Sequence, residues 1–155
     1  TNVDTNFAMP LHAACEHHNS TNVIQYLVEL DASTLEAVDR EGDTSLHYAC
    51  RGAKYDTITM LLETYDAVSV SKRNAQKKLP IDLLWDSNAV GDRESVAYTE
   101  SVFRLLKAYP ETMMNYAIDG NGDTALHYAC RGAKYDTITM LLETYDAVSV
   151  SKRNA

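Results

Sequence analysis

Residues 42–75 return at 122–155, an offset of 80, with Ser45 matched by Ala125 as the one difference over 34 positions. A chain that repeats itself this way is built from stacked units, so one unit read correctly replaces many local guesses. The duplication also bears on function. Chemistry generally needs a unique constellation, and this stretch comes twice.

A shorter motif exposes four units in the 155 residues: Met9-Pro10-Leu11-His12, Thr44-Ser45-Leu46-His47, Leu79-Pro80-Ile81-Asp82 and Thr124-Ala125-Leu126-His127, spaced by 35, 35 and 45. Seven residues before each apolar third position stands Asp4, Asp39, Asn74 or Asp119, and Gly42 and Gly122 follow their Asp by three. Asp and Asn bond their own backbone and Gly supplies positive φ, so each unit opens on a tight, hairpin-like turn. Thr44 or Thr124 then stands where a helix N-cap is favoured. Leu46, Ala49 and Cys50 share one helical face at i, i+3, i+4, and Gly52 ends that short helix. Asp56 is read as the cap of a second helix, along which Ile58, Leu61, Leu62 and Tyr65 form an apolar stripe. Helices this short are marginal alone in water, so they must pack on neighbouring units as a mainly α solenoid of stacked helix-turn-helix units with projecting turn fingers.

The pattern Asp39-x-x-Gly42-x-Thr44-x-Leu46-His47-x-Ala49, its copy from Asp119 to Ala129, and the looser Asp4…Pro10-Leu11-His12-x-Ala14 resemble ankyrin repeats. The resemblance covers essentially the whole chain and implies an L-shaped unit with a β-hairpin finger, binding partners along the concave side lined by fingers and first helices. It implies a single array with units at about 4–38, 39–73, 74–118 and 119–155. Three departures stand out: the units run to 35 residues where the family's usual length is 33, the third unit has Asp82 for His and Lys77 for Gly, and the first has Phe7 at the Gly position. About ten extra residues in the third unit fall between Trp85 and Val102, so 87–100 is expected to be a surface loop, either a tolerated insertion or a binding element.

His12-x-x-Cys15, His47-x-x-Cys50 and His127-x-x-Cys130 place an imidazole and a thiol three apart, a spacing that could suit zinc or a nucleophile pair. Zinc needs four converging ligands, whereas pairs on successive packed helices stand about 8–10 Å apart. A recurring structural slot explains the motif better, with each Cys a small buried hydrophobe and, as the resemblance implies, each His bonding the turn. Glu16-His17-His18 reads as exposed turn residues, since adjacent helical residues do not face each other. With no phosphate cradle, nucleophile elbow or His-Glu-x-x-His stretch, the chain is expected to be non-catalytic and to need no cofactor or metal.

A net charge of −8 and a pI near 5.0 argue against nucleic acid, whose binding rests on a basic face. No apolar run approaches the ~20 residues of a membrane span. The polar start lacks a secretory signal pattern, and the odd cysteine count, Cys15, Cys50 and Cys130, favours a reducing compartment, cytoplasmic or nuclear. Asn19-Ser20-Thr21 fits a glycosylation acceptor, which matters only in a secreted chain.

The fingers themselves carry contrasting charge. Residues 39–43 and 119–123 each sum to −2, whereas Lys72, Arg73, Lys77 and Lys78 put four positive charges into seven residues. Such a row suits a protein or peptide partner of mixed or alternating charge. The expected contacts are Arg40, Glu41, Asp43, Gln76, Lys78, Asn121 and Asp123 on the fingers, with Tyr48, Arg51, Tyr128 and Arg131 on the first helices, Tyr and Arg being enriched at binding hot spots. Tyr48 and Tyr128 could equally pack between units. An alternative expectation is a structural, self-associating segment of a longer repeat protein, its association driven by an uncapped last unit whose Ile138, Leu141 and Leu142 would lie exposed.

Overall fold

A computed structural model of the chain describes residues 9–17, 20–64, 68–87 and 95–109, together with 139, 142 and 143. The chain divides into two compact units, 1–90 and 91–155. In the first, helices α1 (Pro10–His17), α3 (Ser45–Arg51) and α5 (Pro80–Asp86) form a row with α3 packed between the other two. Helices α2 (Thr21–Leu30) and α4 (Tyr55–Thr64) form a second row, packing on each other and each on the first helix of its own unit. Short 3-10 turns at Ala32–Leu35 and Val68–Ser71 follow α2 and α4. Among the described residues there is no strand, so the fingers are turns, and no helix is long and apolar enough to cross a membrane.

The core follows the sequence period. Leu11, Ala14 and Cys15 of α1 and Leu46, Ala49 and Cys50 of α3 are buried at matching positions, as are Ile58 and Leu61 of α4. Leu62 is half-buried, and Tyr65 lies outside the described residues. Thr44 caps α3 as expected, its hydroxyl accepting from the His47 backbone N–H. Ser45, which becomes Ala125 in the copy, has a buried hydroxyl without a hydrogen-bond partner among the described residues, so the one difference between the copies removes a group that is not used.

The end of α3 separates two roles that one glycine usually combines. The N–H of Lys54 bonds the Ala49 carbonyl and that of Ala53 bonds the Cys50 carbonyl, the pair of bonds that closes a helix through a left-handed residue. The left-handed residue is Ala53, at φ 50°, not the glycine. Gly52 has an ordinary φ of −79°. It is needed for space, because a Cβ there would come within 2.5 Å of the Glu16 carbonyl oxygen at the end of α1.

Two sequence expectations need correction. Asp56 does not cap α4; the helix starts one residue earlier, at Tyr55, and Asp56 lies in its first turn, where a carboxylate suits the positive end of the helix dipole. The expected loop 87–100 is also too long. Ser95 caps helix α6 (Val96–Ala108), its hydroxyl accepting from the Tyr98 N–H at 3.1 Å. Tyr98, Val102, Leu105 and Leu106 are buried at i, i+4, i+7 and i+8, so residues 96–100 are helix held by an apolar face.

Candidate functional site

The fingers at 39–43 and 74–78 share one backbone plan. Asp39 Oδ1 accepts from the N–H groups of Glu41 (2.9 Å) and Asp43 (2.8 Å), while the Asp39 N–H bonds the Asp43 carbonyl at 3.1 Å. Asn74 repeats this. Its Oδ1 accepts from Gln76 (3.0 Å) and Lys78 (2.9 Å), and its N–H bonds the Lys78 carbonyl at 3.0 Å. The fourth residue of each turn is left-handed, Gly42 at φ 77° and Lys77 at φ 62°. Lys77 therefore occupies a backbone conformation that costs a side-chain-bearing residue about 1–2 kcal/mol, held in place by the Asn74 bonds around it.

Adjacent fingers are locked together. The Ala75 N–H bonds the Glu41 carbonyl at 2.7 Å, the Asn74 amide donates to Asp43 Oδ1 at 2.8 Å inside the structure, and the Gln76 amide donates to Glu41 Oε2 at 3.0 Å on the surface. Close backbone approach explains the glycine twice over, since a Cβ on Gly42 would also press within 3.3 Å of Ala75 N and Asn74 Cα.

Behind the second finger lies a polar cluster. Asp43 is fully buried and pairs with Arg51, which is half-exposed. Arg51 lies over the Tyr48 ring, 4.9 Å from its centre, and that ring stacks on His12 of the first unit at 5.0 Å. The Tyr48 hydroxyl donates to Asp39 Oδ2 at 2.7 Å. Burial and the bond to Asp39 both push the Tyr48 pKa up. Burial alone would raise that of Asp39, but the bonds it accepts from Tyr48, Asp43 and Glu41 outweigh it and hold it low.

The third unit reverses this pair. Lys78 stands where Asp43 does and Asp86 where Arg51 does, and the two form a bridge with both side chains about half-exposed. Swapped in sign, the pair joins the same two positions.

The histidine slot is structural in the first two units. The Met9 N–H donates to His12 Nδ1 at 3.0 Å, and the Thr44 N–H donates to His47 Nδ1 at 3.2 Å. A backbone N–H can only donate, so Nδ1 is bare and Nε2 carries the proton, which goes to the carbonyl of Ala37 or Lys78, each at 3.2 Å. Asp82 does the first job alone, its Oδ2 accepting from the Leu79 N–H at 2.8 Å. Cys15 and Cys50 are free thiols with no exposed surface. Burial pushes Cys15 up to about 12 and raises Cys50 as well, which suits small hydrophobes rather than nucleophiles. Among the described residues no three His, Cys, Asp or Glu groups converge on a metal-sized site. His17 is exposed at the end of α1, 3.4 Å from Glu16, and His18 lies outside the described residues.

Of the expected contact residues, Arg40, Glu41 and Gln76 are exposed, the last two bonded to each other, and Lys78 and Arg51 are half-exposed in ion pairs. Asp43 stands elsewhere than expected, inside and not at a finger tip, and Tyr48 takes the second of its two expected places, packed between units. Asn121, Asp123, Tyr128 and Arg131 lie outside the described residues, as do Cys130 and the fourth finger. The summed charge of −2 on the second finger misleads, because Asp39 and Asp43 are both buried and its surface carries one Arg and one Glu. Exposed Lys72, Arg73 and Lys77 leave the third finger basic. Lys77 itself is an exposed finger residue absent from the expected contacts, although its place at the glycine position marked it.

These interlocked turns on paired short helices define a repeat protein, and the comparisons with known families agree. A family model for ankyrin repeats (three copies) matches residues 1–74 and one for the ankyrin repeat matches 121–155. The chain belongs to the ankyrin repeat family, whose members are in general protein–protein interaction modules and typically non-catalytic. No curated protein matches it.

Proposed function

We propose that this chain is a non-catalytic binding module that takes a protein or peptide partner on the concave side, along its fingers and first helices. The observation that carries this reading is the lock between the second and third fingers. Because Ala75, Asn74 and Gln76 tie the third finger to the second, Arg40, Glu41, Gln76 and Lys77 are presented at fixed spacing, which lowers the ordering cost of binding. Their charges suit a partner that offers acidic groups to the third finger and both signs to the second. No cofactor, metal, nucleic acid or membrane is needed for this role. The free cysteines Cys15 and Cys50 support a reducing compartment, the cytoplasm or nucleus.

The test is affinity capture from a cell extract, comparing the native chain with K72E/R73E/K77E. Lys78 is left in place because it is paired with Asp86. Partners held by the native chain should be lost by the variant at unchanged helical content, while K107E on α6 retains them. Equal capture by all three chains removes the basic finger from the site.

A second reading, self-association, is favoured by one observation. Val23, Tyr26 and Leu30 form an exposed stripe on α2 at 41%, 61% and 65% exposure, and Leu142 of the last unit is also exposed. Ile138 and Leu141 lie outside the described residues. Light scattering over a dilution series decides it, a constant mass of 17.3 kDa excluding self-association.

A further inference from the structure

We infer that His47 is a pH-sensitive latch between the second and third fingers, so that acid loosens the surface they jointly present. The inference rests on the binding role proposed above for its meaning, but its geometry stands alone. His47 has no exposed surface. Its Nδ1 accepts from the Thr44 N–H at 3.2 Å and lies 2.8 Å from the Thr44 hydroxyl, which caps α3 at the base of the second finger. Its Nε2–H donates to the carbonyl of Lys78, 31 residues on, in the third finger. Both nitrogens are committed, and only the neutral ring satisfies both partners.

A proton added to His47 must go to Nδ1. There it can donate to the Thr44 hydroxyl but no longer accept from the Thr44 N–H, which orphans that amide and buries a cation. The charged neighbours pull in both directions. Asp43 and Asp39, in the same finger, favour the proton, and Arg51 on α3 opposes it. From α5 and the third finger come the Lys78 carbonyl and the Lys78–Asp86 pair, whose charges offset each other. From α1, His12 stacks on Tyr48, and the carboxylate of Glu16 acts on Arg51. Burial, the largest influence, outweighs the favourable bond to Lys78 and the two aspartates, and the pKa of His47 is lowered from its ordinary 6.5.

The sign of the pH effect follows. Above pH 6.5 the ring is neutral in both the folded and the unfolded chain, and stability does not depend on it. Below 6.5 the unfolded chain takes up a proton that the folded chain resists, so stability falls as the pH drops from 6.5 toward the folded pKa. Asp39, held below its ordinary 3.8, withdraws stability only at lower pH, which leaves the range from 6.5 to 5 to histidine. The third unit has Asp82 at this position, a side chain that keeps the bond to the Leu79 N–H and has no N–H to send onward.

The test compares the native chain with H47Q, which keeps a donor and cannot titrate near neutrality. Between pH 7.5 and 5.0 the native melting temperature should fall by about 4 °C more than that of H47Q. Amide exchange at Ala75, whose N–H bonds Glu41, should lose protection over the same range in the native chain after correction for intrinsic rates. Should H47Q fail to fold, nuclear magnetic resonance of the native ring decides: the expected result is an Nε2–H tautomer at pH 7.5 and titration below 6.5. Parallel pH profiles of the two proteins, or titration of His47 at or above 6.5, overturn the inference. No partner enters these measurements, so their failure leaves the binding role standing, and loss of that role leaves the latch standing.

Discussion

The second and third fingers are two sequences on one frame, and their differences show which parts of the frame are fixed. Asp39 and Asn74 do the same work, each side-chain oxygen accepting two amides of its own turn. Gly42 and Lys77 share the left-handed conformation, although only glycine adopts it at little cost. Asp43 and Lys78 differ more deeply. The first is buried under Arg51 and receives the Asn74 amide, whereas the second lies half-exposed opposite Asp86. The geometry of the turn is common to both, and the charge placed upon it is exchangeable only where water reaches it.

That contrast can be broken most severely at Asp43. Asp43→Ala leaves Asn74 without its buried acceptor and Arg51 without its carboxylate, and should cost about 2–3 kcal/mol, the exposure of Arg51 keeping it below the value for a wholly buried pair. Lys78→Ala, at the same place in the third finger, should cost less than about 0.5 kcal/mol because its pair is half in water. Urea unfolding of the two variants side by side measures both. Equal losses would mean that the two fingers do not differ as described.

A second contrast sets the ends of α3 and α5 against each other. Gly52→Ala drives a Cβ into the Glu16 carbonyl and should destabilise by about 2 kcal/mol, since the obstacle is backbone. Ser87, at the matching place after α5, already carries a side chain, which bonds the Leu84 carbonyl at 2.7 Å. Its replacement by Ala should cost about 1 kcal/mol, the value of one hydrogen bond. Thermal unfolding distinguishes the two, and a harmless Gly52→Ala would show that α1 and α3 stand further apart than described.

A third contrast, small and opposite in sign, belongs to the left-handed positions. Gly42→Ala should lower stability by about 1 kcal/mol, while Lys77→Gly should raise it by about 0.5 kcal/mol once the greater freedom of glycine in the unfolded chain is subtracted. A loss in both would place the strain at Lys77 elsewhere.

Much of this frame is legible in the sequence. The duplication, the Asp-to-Gly spacing and the position of Thr44 give the units, the turn and the cap, because turn and cap chemistry is local. What cannot be read locally is which polar groups go inside. Asp43 looks like a finger-tip charge until its bonds to Arg51 and Asn74, 31 residues away, are seen. Tyr48 reads equally as a hot spot or as packing between units until its hydroxyl is found on Asp39 and its ring on His12. Gly52 reads correctly as the end of α3, but its reason, the close carbonyl of Glu16 in another unit, is not local, and the left-handed residue is Ala53. The start of α6 was legible from Ser95 and the spacing of Tyr98, Val102 and Leu105, but the acidic and glycine letters before it pull toward a longer loop.

Two fingers from different units form one connected platform. A double-mutant cycle on Asp43→Ala and Asn74→Ala, read by urea unfolding, tests it most directly. Coupling of about 1–2 kcal/mol between the two sites is the expected result, because each side chain is the buried partner of the other. Additive losses within about 0.3 kcal/mol would contradict the account and leave the fingers as neighbours without a shared structure.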